Sequence, residues 1–399
     1  MPFYLKQMGG LISIESSFFR LRNHQTSRHK THAMQALPEH PQQTPRIRTQ
    51  PIPPKTGRLF KQSPAPTRSL AVAILLLAFH SFGVPLQAQT RSTVSSSAPQ
   101  LPVTRGLDGW LFLASELRFL QAPAFWGAAA KSVSRSPNPE HADPLGAIED
   151  FHKQLSALGV HLLLMPVPAK ARIYSNELAP QDSSLPSPDP FDSFFQQLDS
   201  LHISFIDLRP VLARTANPKQ ATYCKTDSHW SGTGCVLAAQ EVAKQLQQSH
   251  PSVFPKGSDT RFKEKWDRIE TTGDLSALAP SLKVPKETVA VRRISQSNAA
   301  IQPDPNSPLL LMGDSHTLVF HDFMAEQSGL LDQLAKETSV VPDLIGTRGS
   351  GSNAVRVSLL RRSIKDPKYL ASKKVVLWCF AAREFTESDQ GWQPLPIQR

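Results

Sequence analysis

The strongest constraint on what this chain can fold into is an alternation of two patterns. Residues 144–158 carry Ile148, Phe151, Leu155 and Leu158 at helical spacing, Gly159 ends the pattern, and 160–168 is an apolar run of strand length. The same reading predicts a helix over 190–201 with a strand at 203–208, then a helix over about 233–248. A strand at 308–312, a helix over 317–337 and a final strand at 374–380 complete the order, and 106–113 reads as a turn into a short buried strand. Helices alternating with short continuous apolar strands indicate an α/β fold with a parallel sheet covered on both faces. No internal repeat is present.

Charge separates the ends from this core. Residues 1–69 hold eleven Lys/Arg against two acids and nine prolines, a composition that cannot bury a core and predicts a disordered basic leader. That leader carries +9 of the formal +11, so the remainder is close to neutral and no nucleic-acid partner is expected. Arg68 precedes an uncharged run at 70–79, followed by Gly83, Pro85 and a small residue at Ala88. This pattern predicts a secretory signal over 70–88, with a signal-anchor through 70–82 as the alternative. The run is shorter than the roughly 20 apolar residues of a membrane span. Residues 89–100 read as a linker, 101–388 as one domain and 389–399 as a tail. The chain is thus expected to be periplasmic or otherwise exported. In such a compartment Cys224 and Cys235 could pair around the stretch between them, or all three cysteines, with Cys379, are buried small hydrophobes.

Chemistry concentrates in Thr226-Asp227-Ser228-His229-Trp230 and Gly313-Asp314-Ser315-His316. Ligands of open α/β sheets gather outside the carboxyl ends of the strands, and Gly313-Asp314-Ser315 leaves the strand at 308–312. Gly313 permits a tight turn there and Asp314 is expected to brace it through backbone N–H groups. Ser315 is placed at or near the next helix start, where N–H groups stabilise an oxyanion. A serine hydroxyl needs an adjacent base. Asp227 and His229 lie two apart, so on an extended segment they share one face, and the carboxylate can orient the imidazole that takes the serine proton. The plainer alternatives are an ordinary Gly-Asp-Ser turn, and an Asx turn at Asp227 with a surface His229. A metal site of Asp227, His229, Asp314 and His316 is the third alternative. Phosphoesterases that use Asp-x-His also carry Gly-Asp-x-x-Asp and Gly-Asn-His blocks. Here Gly273-Asp274-Leu275-Ser276-Ala277 lacks the second Asp and no Gly-Asn-His exists, so no metal is expected.

An ordered set of blocks carries a resemblance over about residues 102–386. It comprises Gly109-Trp110-Leu111-Phe112-Leu113, Pro166-Val167-Pro168-Ala169-Lys170, the Asp227 stretch with Gly234, Gly273-Asp274-Leu275, Gly313-Asp314-Ser315, and Val375-Val376-Leu377-Trp378 with Arg383-Glu384. The chain resembles the AlgJ/AlgX-type alginate O-acetyltransferase family of SGNH-hydrolase-like proteins. Ordinary SGNH esterases place Gly-Asp-Ser first and the Asp/His block last. The order here is reversed, as in this circularly permuted family.

The resemblance implies a nucleophile at Ser315, a general base at His229 and its orienting partner at Asp227. It implies an oxyanion donor at the Ser315 N–H, and further donors from the Gly-rich stretch 346–353. Asn353 is the candidate for the SGNH asparagine, with a flexible surface loop as the alternative. Arg383 matches a C-terminal arginine of the family, with an ion pair to Glu384 or Asp314 as the structural alternative. Lys170 reads as a strand-end charge, Trp110 as core, and Trp230 as a residue that lines a sugar site or walls the cleft. Implied further are an exported polysaccharide substrate, alginate-like or other, and a membrane-bound O-acyltransferase partner. That partner would deliver the acetyl group, so no soluble cofactor is expected. A secreted carbohydrate acetylesterase of the same fold is the alternative, and no carbohydrate-binding module is expected after Thr386.

Overall fold

Four of the five strands of the central sheet are apolar runs that the sequence marks out, and the order in which they pair decides where a site can form. A computed structural model describes residues 102–179, 185–214, 220–257 and 260–397. The leader, the signal or anchor and the linker lie outside the described residues. No described helix is long and apolar enough to cross a membrane.

The strands are β1 (Val103–Arg105), β2 (Leu111–Leu113), β3 (His161–Val167), β4 (Ser204–Phe205), β5 (Phe262–Thr271), β6 (Glu287–Gln296), β7 (Leu309–Gly313), β8 (Asp343–Gly346) and β9 (Val375–Ala381). Five of them form a sheet in the order β4-β3-β9-β7-β8, with every pairing parallel. β7 and β9 are buried at every position, as strands covered on both faces must be. β9 comes last in the chain yet lies at the centre, so β3–β4 leads away on one side and β7–β8 on the other. The carboxyl ends of β3, β9 and β7 therefore flank the point where the strand order reverses, the usual crevice of such sheets.

Local chemistry sets the helix starts. Asp143 accepts from Leu145 N and Pro144 fills the first turn of the helix Pro144–Ala157, and Asp189 with Pro190 does the same for Pro190–Ser200. Ser231 caps Gly232–Ser249 by accepting from Gly234 N.

The expected elements are altered at several places. The strand at 203–208 shrinks to the two residues of β4. The helix expected over 317–337 is broken: a 3-10 turn at Ser315–Thr317 gives way to a loop, and the helix Leu330–Thr338 begins only after Gly329. A Cβ at Gly329 would lie 2.5 Å from the His321 Cβ, so the chain folds back on itself there. Three elements carried no sequence expectation: the antiparallel hairpin β5–β6, strand β8 and the helix Ala354–Lys365. The segment after 388, read as a tail, packs onto the domain. Trp392 is buried and stacks on Phe385 with centroids 5.6 Å apart, and Ile397 N donates to Gln154 Oε1 at 2.9 Å.

Candidate active site

Gly313 ends β7 where no other residue fits: a Cβ there would stand 1.6 Å from the Cys379 carbonyl oxygen of β9. Asp314 then turns the chain. Its carboxylate accepts from His316 N at 2.9 Å and from Ala381 N at 2.7 Å, tying the turn to the end of β9. Burial opposes ionisation of Asp314, but the adjacent His316, Arg383 and these N–H groups hold its pKa well below the carboxylate range. Ser315 follows, half-buried, at the head of the 3-10 turn. The long helix expected behind it is absent, so on its own segment the N–H groups come from this short turn.

Asp227 and His229 are not on an extended segment. They lie in a looped strap closed by an isolated bridge between Tyr223 and Trp230. Asp227 makes an Asx-type turn, its Oδ1 accepting from His229 N at 3.0 Å and lying 2.6 Å from His229 Nδ1. His229 Nε2 lies 2.7 Å from Ser315 Oγ. A carboxylate can only accept, so Nδ1 carries the proton and leaves Nε2 of the neutral ring to accept from the serine hydroxyl. Burial works against charge on both partners. Against it, the His229 hydrogen bonds hold the Asp227 pKa down to about 2, and Asp227, Asp274 and Asp314 raise that of His229.

Three residues given no role by sequence alone hold this strap. Lys170 is fully buried at the start of the short helix Lys170–Ile173 that follows β3, and its ammonium donates to the carbonyls of Cys224 (3.0 Å), Lys225 (3.2 Å) and Asp227 (2.7 Å). Asp274 N donates to Asp227 Oδ2 at 2.8 Å, and the Asp274 carboxylate accepts from Ser228 N (2.7 Å) and Ser228 Oγ (2.6 Å). Glu287 accepts from Thr226 N and Lys225 N, both at 2.8 Å. Asp274 and Glu287 come from the hairpin connection and from β6. Lys170 and Asp274 were legible as block residues, but their partners lie 57 and 47 positions away and carry no local signal.

The other expected residues divide. His316 is buried, with its ring centroid 4.8 Å from that of His229. Trp230 is fully buried and packs at 5.2 Å on His316, so it neither lines a sugar site nor faces a cleft. Arg383 pairs with buried Glu116 at 3.2 Å, rather than with Glu384 or Asp314. Asn353 is buried as a brace: Nδ2 donates to Gly391 O, and Oδ1 accepts from Arg356 Nη2 at 2.7 Å and Gln393 N at 3.2 Å. Both ends of its amide thus hold the C-terminal segment. The Gly-rich stretch does pass the site, since Thr347 N donates to Gly313 O at 3.0 Å and a Cβ on Gly351 would lie 3.2 Å from that of Asp314. Cys224, Cys235 and Cys379 are all free and buried, so of the two readings left open the structure has the three buried small hydrophobes and not the Cys224–Cys235 pair.

Among the described residues, possible ligand atoms of Asp227, His229 and Asp274 lie within 4.8 Å of one another. Each is already engaged: His229 bridges Asp227 and Ser315, and both Asp274 oxygens serve Ser228. Asp314 and His316 do not join this group of ligand atoms among the described residues.

Residues 103–341 match the family model described as SGNH hydrolase-like domain, acetyltransferase AlgX. The chain is 26% identical over 226 residues to the probable alginate O-acetylase AlgJ of Pseudomonas fluorescens, covering 54% of this chain and 53% of that protein. It is 24% identical over 294 residues to the probable alginate O-acetylase AlgJ of Pseudomonas putida, covering 70% and 69%. It thus spans about half the length of the first relative. Among solved structures it is similar to the O-acetyltransferase domain of Pseudomonas putida AlgJ, with TM-score 0.55, 22% identity, and 72% and 93% of the two chains covered. It is also similar to Pseudomonas aeruginosa AlgX, with TM-score 0.52, 16% identity, and 70% and 61% covered.

Proposed function

The chain belongs to the AlgX family of SGNH hydrolase-like acetyltransferase domains, and on that premise we propose that it O-acetylates an exported polysaccharide through an acetyl-serine at Ser315. The observation that carries this reading is the position of His229, 2.7 Å from Ser315 Oγ and 2.6 Å from Asp227 Oδ1. Such a relay gives a serine the base it needs.

In the proposed reaction Ser315 Oγ attacks the acetyl carbonyl of an ester donor while its proton passes to His229 Nε2. The oxyanion that forms is met by the Ser315 N–H, which has no partner within its own turn. Collapse breaks the donor ester bond, and His229 returns the proton to the leaving alkoxide. A sugar hydroxyl then gives its proton to His229 and attacks the acetyl-serine carbonyl; the bond to Ser315 Oγ breaks, and Oγ takes that proton back from His229. A membrane-bound O-acyltransferase is the proposed source of the acetyl group, which requires the domain to lie outside the cytoplasm.

The test supplies an acetyl ester and oligosaccharides to the native chain and to Ser315→Ala. Acetylated sugar from the native chain alone supports transfer. Free acetate without sugar product would turn the assignment to a carbohydrate esterase. Equal background in both removes Ser315 as nucleophile.

A further inference from the structure

Between the turn at Ser315 and the helix at Leu330 the chain forms a tight loop in place of the expected helix. Phe320 N donates to Phe323 O at 2.9 Å, and Ser328 N to Phe320 O at 2.8 Å. Phe320, Met324 and Gln327 hold left-handed backbone, at φ 64°, 66° and 62°. That conformation is unfavourable for any residue but glycine, and it persists where the surroundings over-determine it, often at ligand clamps. Here the surroundings are Ile294 N on Gln327 O (2.6 Å), Arg293 Nη1 on Glu326 O (2.9 Å) and His321 on buried Asp332 (2.9 Å).

The loop presents Phe323. Its half-buried ring stands edge-on to the His229 imidazole, with centroids 5.7 Å apart and planes at 71°. The Arg348 guanidinium lies 4.4 Å from the Phe323 centroid and is itself held by Asp322 at 3.1 Å. Phe323 cannot swing away without losing the stack on Arg348. His229 thus touches both groups: its Nε2 is 2.7 Å from Ser315 Oγ and its ring faces Phe323, so an acyl chain esterified at Ser315 starts one imidazole away from Phe323.

We infer that Phe323 is the specificity-determining residue for acyl length: it leaves room for acetyl and excludes longer straight chains. The inference rests on Ser315 as the acyl carrier. It goes beyond the proposed function in assigning a residue to the choice of acyl group. One methylene more or less in an apolar pocket discriminates by about 10- to 200-fold, so a rigid ring at this point suffices.

The experiment compares the native full-length chain, Ser315→Ala, Phe323→Ala and Phe323→Trp on 4-nitrophenyl acetate, propionate and butyrate. Rates are read together with the mass of the acyl adduct on Ser315. Phe323→Ala is expected to raise the butyrate-to-acetate ratio of kcat/KM about tenfold or more, and Phe323→Trp to lower it. Partial unfolding would depress all three esters together and leave the ratio alone, so the ratio is the readout. A ratio unchanged in both variants, with a normal Ser315 adduct, overturns this inference alone. No adduct on Ser315 of the native chain overturns the nucleophile assignment and this inference with it.

Discussion

At the scale of single residues, the strap that carries His229, the proposed base, is held by a residue that sequence alone reads as a strand-end charge. Lys170 is a buried cation satisfied by three carbonyls of the strap, and taking an ammonium out of water is unfavourable unless its donors are met. Lys170→Met removes all three bonds at once. It is expected to lower kcat about 10- to 100-fold with KM for the donor little changed, the range seen when an outer partner orienting a reactive group is lost. Steady-state kinetics on the folded variant check this, and a KM effect alone would place Lys170 elsewhere. The same neighbourhood fixes the pH dependence. The His229 pKa is raised, so the ring stays protonated and unable to accept until the pH exceeds its ordinary 6.5, and acylation should rise along a limb above that value. Asp227→Asn removes the main opposing cause to burial, so the limb should move down in pH while the plateau falls. For stability the signs differ. The His229 contribution is complete below 6.5 and lost as pH rises through its raised value, whereas that of Asp227 is present above 3.8 and lost only as pH falls through about 2. Rate profiles and melting curves across pH separate the two.

At the scale of elements, the β7-to-β9 contact decides whether the turn can exist. Gly313→Ala would press a methyl group into the Cys379 carbonyl. The variant is expected to lose several kcal/mol through overpacking of a fully buried strand pair, visible as a large fall in melting temperature or as insoluble protein. Glu384 opens the short helix Glu384–Glu387 that follows β9. Burial pushes its pKa up to about 7, with the nearby Asp314 charge adding and the Ser352 hydrogen bond opposing. A raised carboxyl leaves stability intact below pH 4.5 and erodes it as pH rises through about 7. Glu384→Gln should therefore stabilise the fold at pH 8 and do little at pH 5, and equal shifts at both would refute this. Most sheet strands and three capped helices were legible here because continuous apolar runs and Asp-Pro or Ser caps act locally. The helix over 317–337 was not. Its apolar spacing is real, but Leu318, Val319 and Phe320 are drawn into a loop held by β6, a partner no window of sequence contains.

At the scale of the whole molecule, the C-terminal segment works as a strap across distant parts of the domain. Trp392 N donates to His141 O at 2.6 Å, Trp392 Nε1 to Glu384 O at 3.1 Å, and Arg356 to Gln393 O at 2.9 Å. Truncation after Ser388 empties the place of a buried tryptophan and is expected to cost about 3–5 kcal/mol, measured by denaturant midpoint. An unchanged midpoint would show the segment to be dispensable. Sequence alone determined the α/β class and marked out Ser315, His229 and Asp227, in their reversed order, as candidates, because residue type, local periodicity and block order are written along the chain. Only the tertiary structure decided that Trp230 is buried and that Asn353 is a buried brace, that the three thiols stay apart, and that Lys170, Asp274 and Glu287 hold the strap carrying His229. The bracing outcomes depend on which distant backbone groups share a buried space, where most polar atoms find a partner, and such pairings leave no periodic mark in the sequence.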